Sequence, residues 1–341
     1  MSLRPRLTLL LPALALLLVV SMVLCVGLGP VRIAPGTVVG IIREALAPSG
    51  REPGWNLGQQ HIVLDLRIPR VILGALVGGG LAVVGAVLQA MTRNPLADPY
   101  LFGVSSGASV GAVAVILYGG GLLGALGLPL AAFAGALAAM GLVFFLAREA
   151  GGFATERLVL TGVAVHFVLM AATNAIVLSA PERGADGALF WMLGGFANAR
   201  WALLPAAAVA TVAGMGWILW RADLLDALSL GDEGAHTLGV PVRRLRLEMF
   251  LATALITGVL VSTSGSVGFI GLIVPHCARW LAGARLRSSI PVAALIGGVF
   301  AIWTDVAART LFAPRELPLG VMTAAIGGLF FILVLKRRKA L

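Results

Sequence analysis

Apolar runs long enough to cross a lipid bilayer recur along this sequence from end to end, which restricts the chain to very few kinds of fold. They fall at residues 7–29, 70–91, 103–123, 129–147, 158–179, 201–220, 249–264, 268–284, 290–308 and 320–335. A span needs about 20 apolar residues to cross a hydrocarbon core of roughly 30 Å. No water is present there to satisfy the backbone, so isolated spans are helical. Ten runs in 341 residues leave only short connections and no room for a soluble domain. Composition agrees, since 12% of the residues are charged, about half of the 25% usual in globular domains. The expected fold is an all-α polytopic membrane protein of about ten transmembrane helices. It forms one domain over residues 1–341, with an outer loop at 30–61 and a charged cytoplasmic segment at 221–248. The first run follows Arg4 and Arg6. It is long for a signal-peptide core and no A-x-A site follows it, so it reads as a retained helix.

An even number of spans puts both termini on one side. The basic tail KRRK at 336–339, with Arg4 and Arg6, makes that side the cytoplasm. In this orientation sixteen of the 25 Lys and Arg residues lie inside. The other nine, Arg32, Arg43, Arg51, Arg67, Arg70, Arg183, Arg200, Arg309 and Arg315, lie outside or at the outer helix ends. That is more than topology requires, so some are expected to meet a partner. The excess of basic residues orients helices and does not point to nucleic acid. Lys336 and Lys339 are the only lysines. Neither stands in a G-x-x-x-x-G-K context, so the chain has no P-loop, and ATP, if it drives the protein, is bound by another chain. Cys25 and Cys277 fit neither a disulfide framework nor a metal spacing, and no metal site is expected.

Gly78, Gly79, Gly80 and Gly85, then Gly103, Gly107 and Gly111, lie at roughly helical spacing inside apolar runs. Small residues there let helix backbones approach closely. Two halves of five spans also suggest an inverted repeat, although no sequence match between the halves supports one. Intramembrane carboxylates are the mark of ion-coupled pumps. Only Asp305 lies well inside a run, and Arg309, four residues on, is the obvious ion-pair partner. His166, Met170 and Asn174 form a polar stripe on the fifth run. The stripe can make an interhelical hydrogen bond, line a water-filled path, or offer His and Met to haem iron. His61 and His236 read as loop histidines. In 221–248, Leu225, Leu228, Leu230, Ala235 and Leu238 alternate with charges and with Gly231, Gly239 and Pro241. This is a pattern of short one-sided helices that either dock on a soluble partner or form a solvated loop.

Five segments together go beyond general membrane character. They are LRIPRVILGALVGGGLAVVGAVLQAMTRNPLADPYLFGVSSGASVGA (66–112), WMLGGFANARW (191–201), LSLGDEGAHTLGVP (228–241), SGSVGFIGLIVPHCARWLAG (264–283) and ELPLGVMTAAIGGLFFILVLKRR (316–338). In this order they closely resemble the permease subunits of type II ABC importers for ferric siderophores, haem and cobalamin. The resemblance implies a ten-helix inner-membrane subunit that works as a homodimer with the pathway at its axis. Two ABC ATPase subunits carrying ATP and Mg bind on the cytoplasmic side, and a periplasmic or lipid-anchored substrate-binding protein docks on the other. The chain itself is then neither an enzyme nor a binder of any cofactor. The resemblance also implies that Arg67, Arg70 and Arg309 contact glutamates of the binding protein, a task suited to the fixed fork of the guanidinium, with Asp305 orienting Arg309. It implies a cytoplasmic gate at Asn94, Pro95 and Leu96 and at Thr155 and Glu156, although Glu156 departs from the small hydroxyl residues common there. Leu230, Gly231, Ala235, Leu238 and Gly239 become ATPase contacts, and His276 after Pro275 keeps local structure. An ATP-independent secondary transporter and a membrane enzyme are the rival readings. The scarcity of carboxylates opposes the first, and the want of a converging His, Asp or Glu constellation opposes the second. The substrate stays open among haem, a ferric siderophore and cobalamin.

Overall fold

A computed structural model describes residues 5–48, 54–119, 124–149, 155–180 and 182–338, and every regular element among them is helical. In chain order these are α1 (Pro5–Gly27), α2 (Pro35–Leu46), α3 (Leu57–His61), α4 (Ile68–Thr92), α5 (Val104–Tyr118), α6 (Gly127–Glu149), α7 (Thr155–Leu178) and α8 (Glu182–Met192). There follow α9 (Leu204–Trp220), α10 (Ala222–Leu228), α11 (Asp232–Thr237), α12 (Val242–Ser264), α13 (Ile270–Ala282), α14 (Leu286–Thr310) and α15 (Leu319–Arg338). Each apolar run of the sequence has become one of these helices. Seven stretches among the described residues are long and apolar enough to cross a membrane: Leu7–Gly27, Leu57–Thr92, Gly127–Arg148, Arg157–Leu178, Trp201–Trp220, Val242–Ser264 and Leu286–Thr310.

Two features differ from the sequence reading. The connection 30–61 carries α2, which begins on Pro35 and buries Val38 and Ile41 against the end of α1. The pattern Val38, Val39, Ile41, Ile42 gives a one-sided helix, and proline in the first turn costs it no hydrogen bond. The second run starts earlier than residue 70. The helix is continuous from Leu57, passing through a π-helical stretch, Ile62–Arg67, in which the Ile68 N–H reaches back to the Val63 carbonyl. The wide turn just before Pro69 accommodates a residue that cannot donate and whose ring crowds the preceding turn.

At the centre stand α4, α12 and α14, the most buried of the spans, whereas α1, α6, α7 and α9 turn most of their surface outward. Glycine sets the closeness of the central packing. A Cβ on Gly78 would collide with the Gly297 carbonyl of α14, and one on Gly85 with the Gly271 carbonyl of α13. Gly107 and Gly111 of α5 stand in the same relation to the Gly135 and Ala131 carbonyls of α6. With no hydrophobic effect between helices in lipid, this backbone-to-backbone approach supplies the dispersion contacts that hold the bundle.

α5 and α13, of 15 and 13 residues, are only about 20 Å long at 1.5 Å per residue. Both start from one junction. The Ser105 and Ser266 hydroxyls lie 2.7 Å apart, and the Val267 N–H donates to the Tyr100 hydroxyl at 2.8 Å. The junction abuts α4, where the Gln89 amide donates to the Gly271 carbonyl at 3.0 Å and accepts from Arg279 at 2.7 Å. Non-helical backbone among spanning helices has to be satisfied by protein in this way.

Candidate functional site

Charge concentrates where α1 and α14 end and α4 begins. α1 leaves its last carbonyls without helical partners, and two arginines supply donors. Arg67 Nη1 donates to the Val26 and Gly27 carbonyls at 2.9 and 3.1 Å and Nη2 to that of Val31, while Arg309 Nη2 donates to the Cys25 carbonyl at 2.7 Å. Both arginines are buried. Arg70 is held from two sides. Asp305 accepts from its Nε and Nη2 at 3.0–3.1 Å, and Glu316 accepts from its Nη1 and Nη2 at 3.2 and 3.0 Å. Asp305 and Arg309 do approach, at 3.5 Å, yet the bidentate partner of Asp305 is Arg70. An i, i+4 rule cannot see a residue 235 positions away. The structure thus brings Arg67, Arg70 and Arg309 together and adds Glu316, which the sequence reading missed. Three cations face two carboxylates, so one positive charge is in excess. Arg67 and Arg309 are buried, whereas Arg70, although its donors are held by Asp305 and Glu316, keeps 12% of its side chain exposed.

At the opposite end of α4 the helix stops at Arg93, whose φ of 50° is left-handed. Asn94 turns the chain by accepting the Leu96 N–H at 2.9 Å, and Leu96 is exposed. Pro95 is exposed as well. Thr155 and Glu156 open α7, but their side chains lie outside the described residues. Asp98 caps the single turn Pro99–Phe102, where its Oδ1 accepts the Tyr100 N–H at 2.9 Å. Its Oδ2 is buried and has no partner among the described residues. Burial without a counter-ion pushes the Asp98 carboxyl up to about 6.

Beside this loop lie α10 and α11. Asp226 accepts the Leu286 N–H at 2.9 Å, which ties α10 to the start of α14. Arg246 of α12 grips Asp232 of α11 through two bonds, at 2.9 and 2.6 Å. Gly231, with φ 105°, turns between α10 and α11 so close to Arg93 that a Cβ there would lie 3.2 Å from the guanidinium. Leu230 and Leu238 stand 70% and 63% exposed. Gly239 turns with φ 78°. Ala235 differs from the expectation of a surface contact. It is fully buried, because a helix as short as α11 is held only by packing one face inward.

His166, Met170 and Asn174 lie on the outward side of α7. His166 is half-buried, its Nδ1 has no partner among the described residues, and Met170 and Asn174 are exposed. His276 packs edge-on against Trp280 and Phe330, joining α13 to α15. At the arginine end a cavity of about 220 Å³ opens between α6, α8 and α12, lined among others by Trp191, Asn198, Arg200, Ser262 and Ser264. Among the described residues no group of three or more His, Cys, Asp or Glu side chains could hold a metal ion.

The profile of the FecCD transport family matches residues 17–337. The cobalamin import system permease protein BtuC of Halobacterium salinarum is 42% identical over 280 residues, 82% of this chain and 74% of that one. The hemin transport system permease protein HmuU of Yersinia pestis is 39% identical over 293 residues, 84% of this chain and 87% of that one. Among solved structures, a transporter described as of metal-chelate ABC type, in an inward-facing conformation, superposes with a TM-score of 0.82 at 30% identity. The match covers 96% of this chain and 98% of that one.

Proposed function

The chain belongs to the FecCD transport family, and from that membership we propose that it is the permease subunit of a binding-protein-dependent ABC importer for an iron chelate, haem or cobalamin. In this reading α5, α13 and α15 also cross the inner (cytoplasmic) membrane, giving ten spans with both termini in the cytoplasm. Two copies form a homodimer around the pathway, and ATP is hydrolysed by two separate subunits, leaving this chain to convert their closure into alternating access. The observation that carries the proposal is a family match running over nearly the whole chain.

The site geometry fits these roles. The exposed Leu230 and Leu238 offer apolar surface to an ATPase groove, and the closeness of Gly231 to Arg93 couples that surface to the Asn94–Leu96 gate. Thr155 and Glu156 complete the gate. At the other end the excess positive charge suits an acidic binding protein, with Arg70 as the touching residue and Arg67 and Arg309 as its supports. His166, Met170 and Asn174 face the partner copy and the pathway.

The test is uptake into vesicles by this chain with its ATPase and binding protein, offered haem, a ferric siderophore and cobalamin in parallel. ATP-dependent uptake of one ligand is expected. Uptake by this chain alone under an ion gradient would favour a secondary transporter instead. ATP-dependent uptake of haem alone that falls in His166→Ala would make His166 a haem-iron contact.

A further inference from the structure

Where α9 ends and α10 begins, the chain builds a feature that the transport roles above do not use. α9 is one of the outward-facing spans, with Val209 and Val212 exposed along its side. At its end stand Trp217 and Trp220, both exposed, with ring centroids 5.1 Å apart. Tryptophan is enriched at the level of lipid headgroups, where an amphipathic ring is best placed. Directly after them Arg221 stacks its guanidinium 4.4 Å from the centre of the Trp220 ring and 5.6 Å from that of Trp217.

Arg221 then reaches α12. Its Nη2 lies 3.1 Å from Glu248, and the same carboxylate accepts from Arg244 Nε at 2.9 Å. Glu248 therefore spaces two guanidiniums, and the trio keeps one net positive charge. Arg221 Nε is buried and has no partner among the described residues. Between these groups lies a cavity of about 120 Å³, walled on its apolar side by Leu224, Pro241 and Leu245.

We propose that this cavity binds the phosphate of an anionic phospholipid at the membrane surface. Each part has a function in that reading. The tryptophans set the depth of α9, the two guanidiniums take the phosphate oxygens, and the outward face of α9 lies along the acyl chains. Basic pockets between spanning helices are the usual receptors for such headgroups. A soluble partner would not require the tryptophan pair on the lipid-facing helix. The proposal rests on the chain being a membrane subunit. It is independent of substrate, ATPase and binding protein, so its failure would leave the transport reading intact.

The experiment is lipid retention by the purified chain, read by native mass spectrometry after equilibration with phosphatidylglycerol and phosphatidylcholine in equal amounts. The wild type is expected to keep the anionic lipid about thirtyfold over the zwitterionic one, the ratio for roughly two surface guanidiniums at about 1 kcal/mol each. Arg244 is 77% exposed, so Arg244→Gln leaves folding untouched and should lower the ratio several-fold. Arg221→Gln combined with Arg244→Gln should bring it to parity, and Arg315→Gln, at the opposite end, should not change it. Equal retention in wild type and in Arg244→Gln would overturn the site. Displacement of the lipid by inorganic phosphate, or loss of lipid when the ATPase is added, would reassign the cavity to a free anion or to that partner.

Discussion

The two ends of this molecule use charge in opposite ways. At the arginine end, Arg67, Arg70 and Arg309 are turned inward, onto the last carbonyls of α1 and onto Asp305 and Glu316. At the α10–α11 end Arg246 is buried against Asp232, but the Asp223–Arg287 pair lies on the outside, 73% and 68% exposed, and Leu230 and Leu238 are exposed as well. The first end is fixed by its own chain, and the second is left incomplete. Rigidity at one end and unfilled apolar surface at the other are what a device needs if it is to hold a shape toward one partner and be moved by another.

The strongest way to break this contrast is to remove one carboxylate from each end. Asp305→Ala leaves Arg70 to Glu316 alone and Arg309 without its neighbouring carboxylate, a loss of about 3–5 kcal/mol in a buried pair. Asp223→Ala, in an exposed pair, should cost less than about 0.5 kcal/mol. Thermal unfolding in detergent measures both, and comparable losses would mean that the two ends are equally fixed.

The loop that follows α4 supplies the next test. The Asp98 carboxyl is raised from its ordinary value near 4 to about 6. A raised value means that the folded chain favours the protonated form. The stability is therefore intact below about pH 4 and is lost as pH climbs through about 6, for a total of up to about 3 kcal/mol. Asp98→Asn keeps an oxygen for the Tyr100 N–H and removes the ionisation. It should be the more stable form at neutral pH and lose the slope between about pH 4 and 6. A slope that persists in the variant would assign it to another group. Smaller still is Gly231→Ala, in which a side chain must adopt φ 105° beside Arg93. Its cost should be about 1–2 kcal/mol, read in the same melts.

Apolar runs were enough to find the seven long spans, because a bilayer demands such runs whatever they pack against, but they did not show the short α2 and α8. The glycines at 78, 85, 107 and 111 were legible for a similar reason, since small residues at helical spacing have few other uses in lipid. What escaped was non-local or non-periodic. The Arg70 clamp joins α4 to Asp305 and Glu316, and no local rule reaches so far. The shortness of α5 and α13 was hidden because apolar composition continues beyond the helix ends. The break before α13 is set instead by turns at Gly265 and Phe269, both at positive φ. Ala235 is buried where the pattern suggests a contact, because short amphipathic helices do not announce which apolar residue faces inward.

The smallest effect on stability should accompany the largest effect on assembly. Leu230 and Leu238 are exposed, so Leu230→Asp with Leu238→Asp removes no core contact and should move the melting curve by less than about 0.5 kcal/mol. If an ATPase buries them, each contributes about 1.5–3 kcal/mol to association, and losing both should weaken it by roughly 100-fold or more. Co-purification of the ATPase with the double variant reads that loss directly. An unchanged melt with the ATPase lost would locate the incompleteness of this end in those two side chains. An unchanged melt with the ATPase retained would move the coupling surface elsewhere on α10–α12, with the turns at Gly231 and Gly239 the next positions to alter.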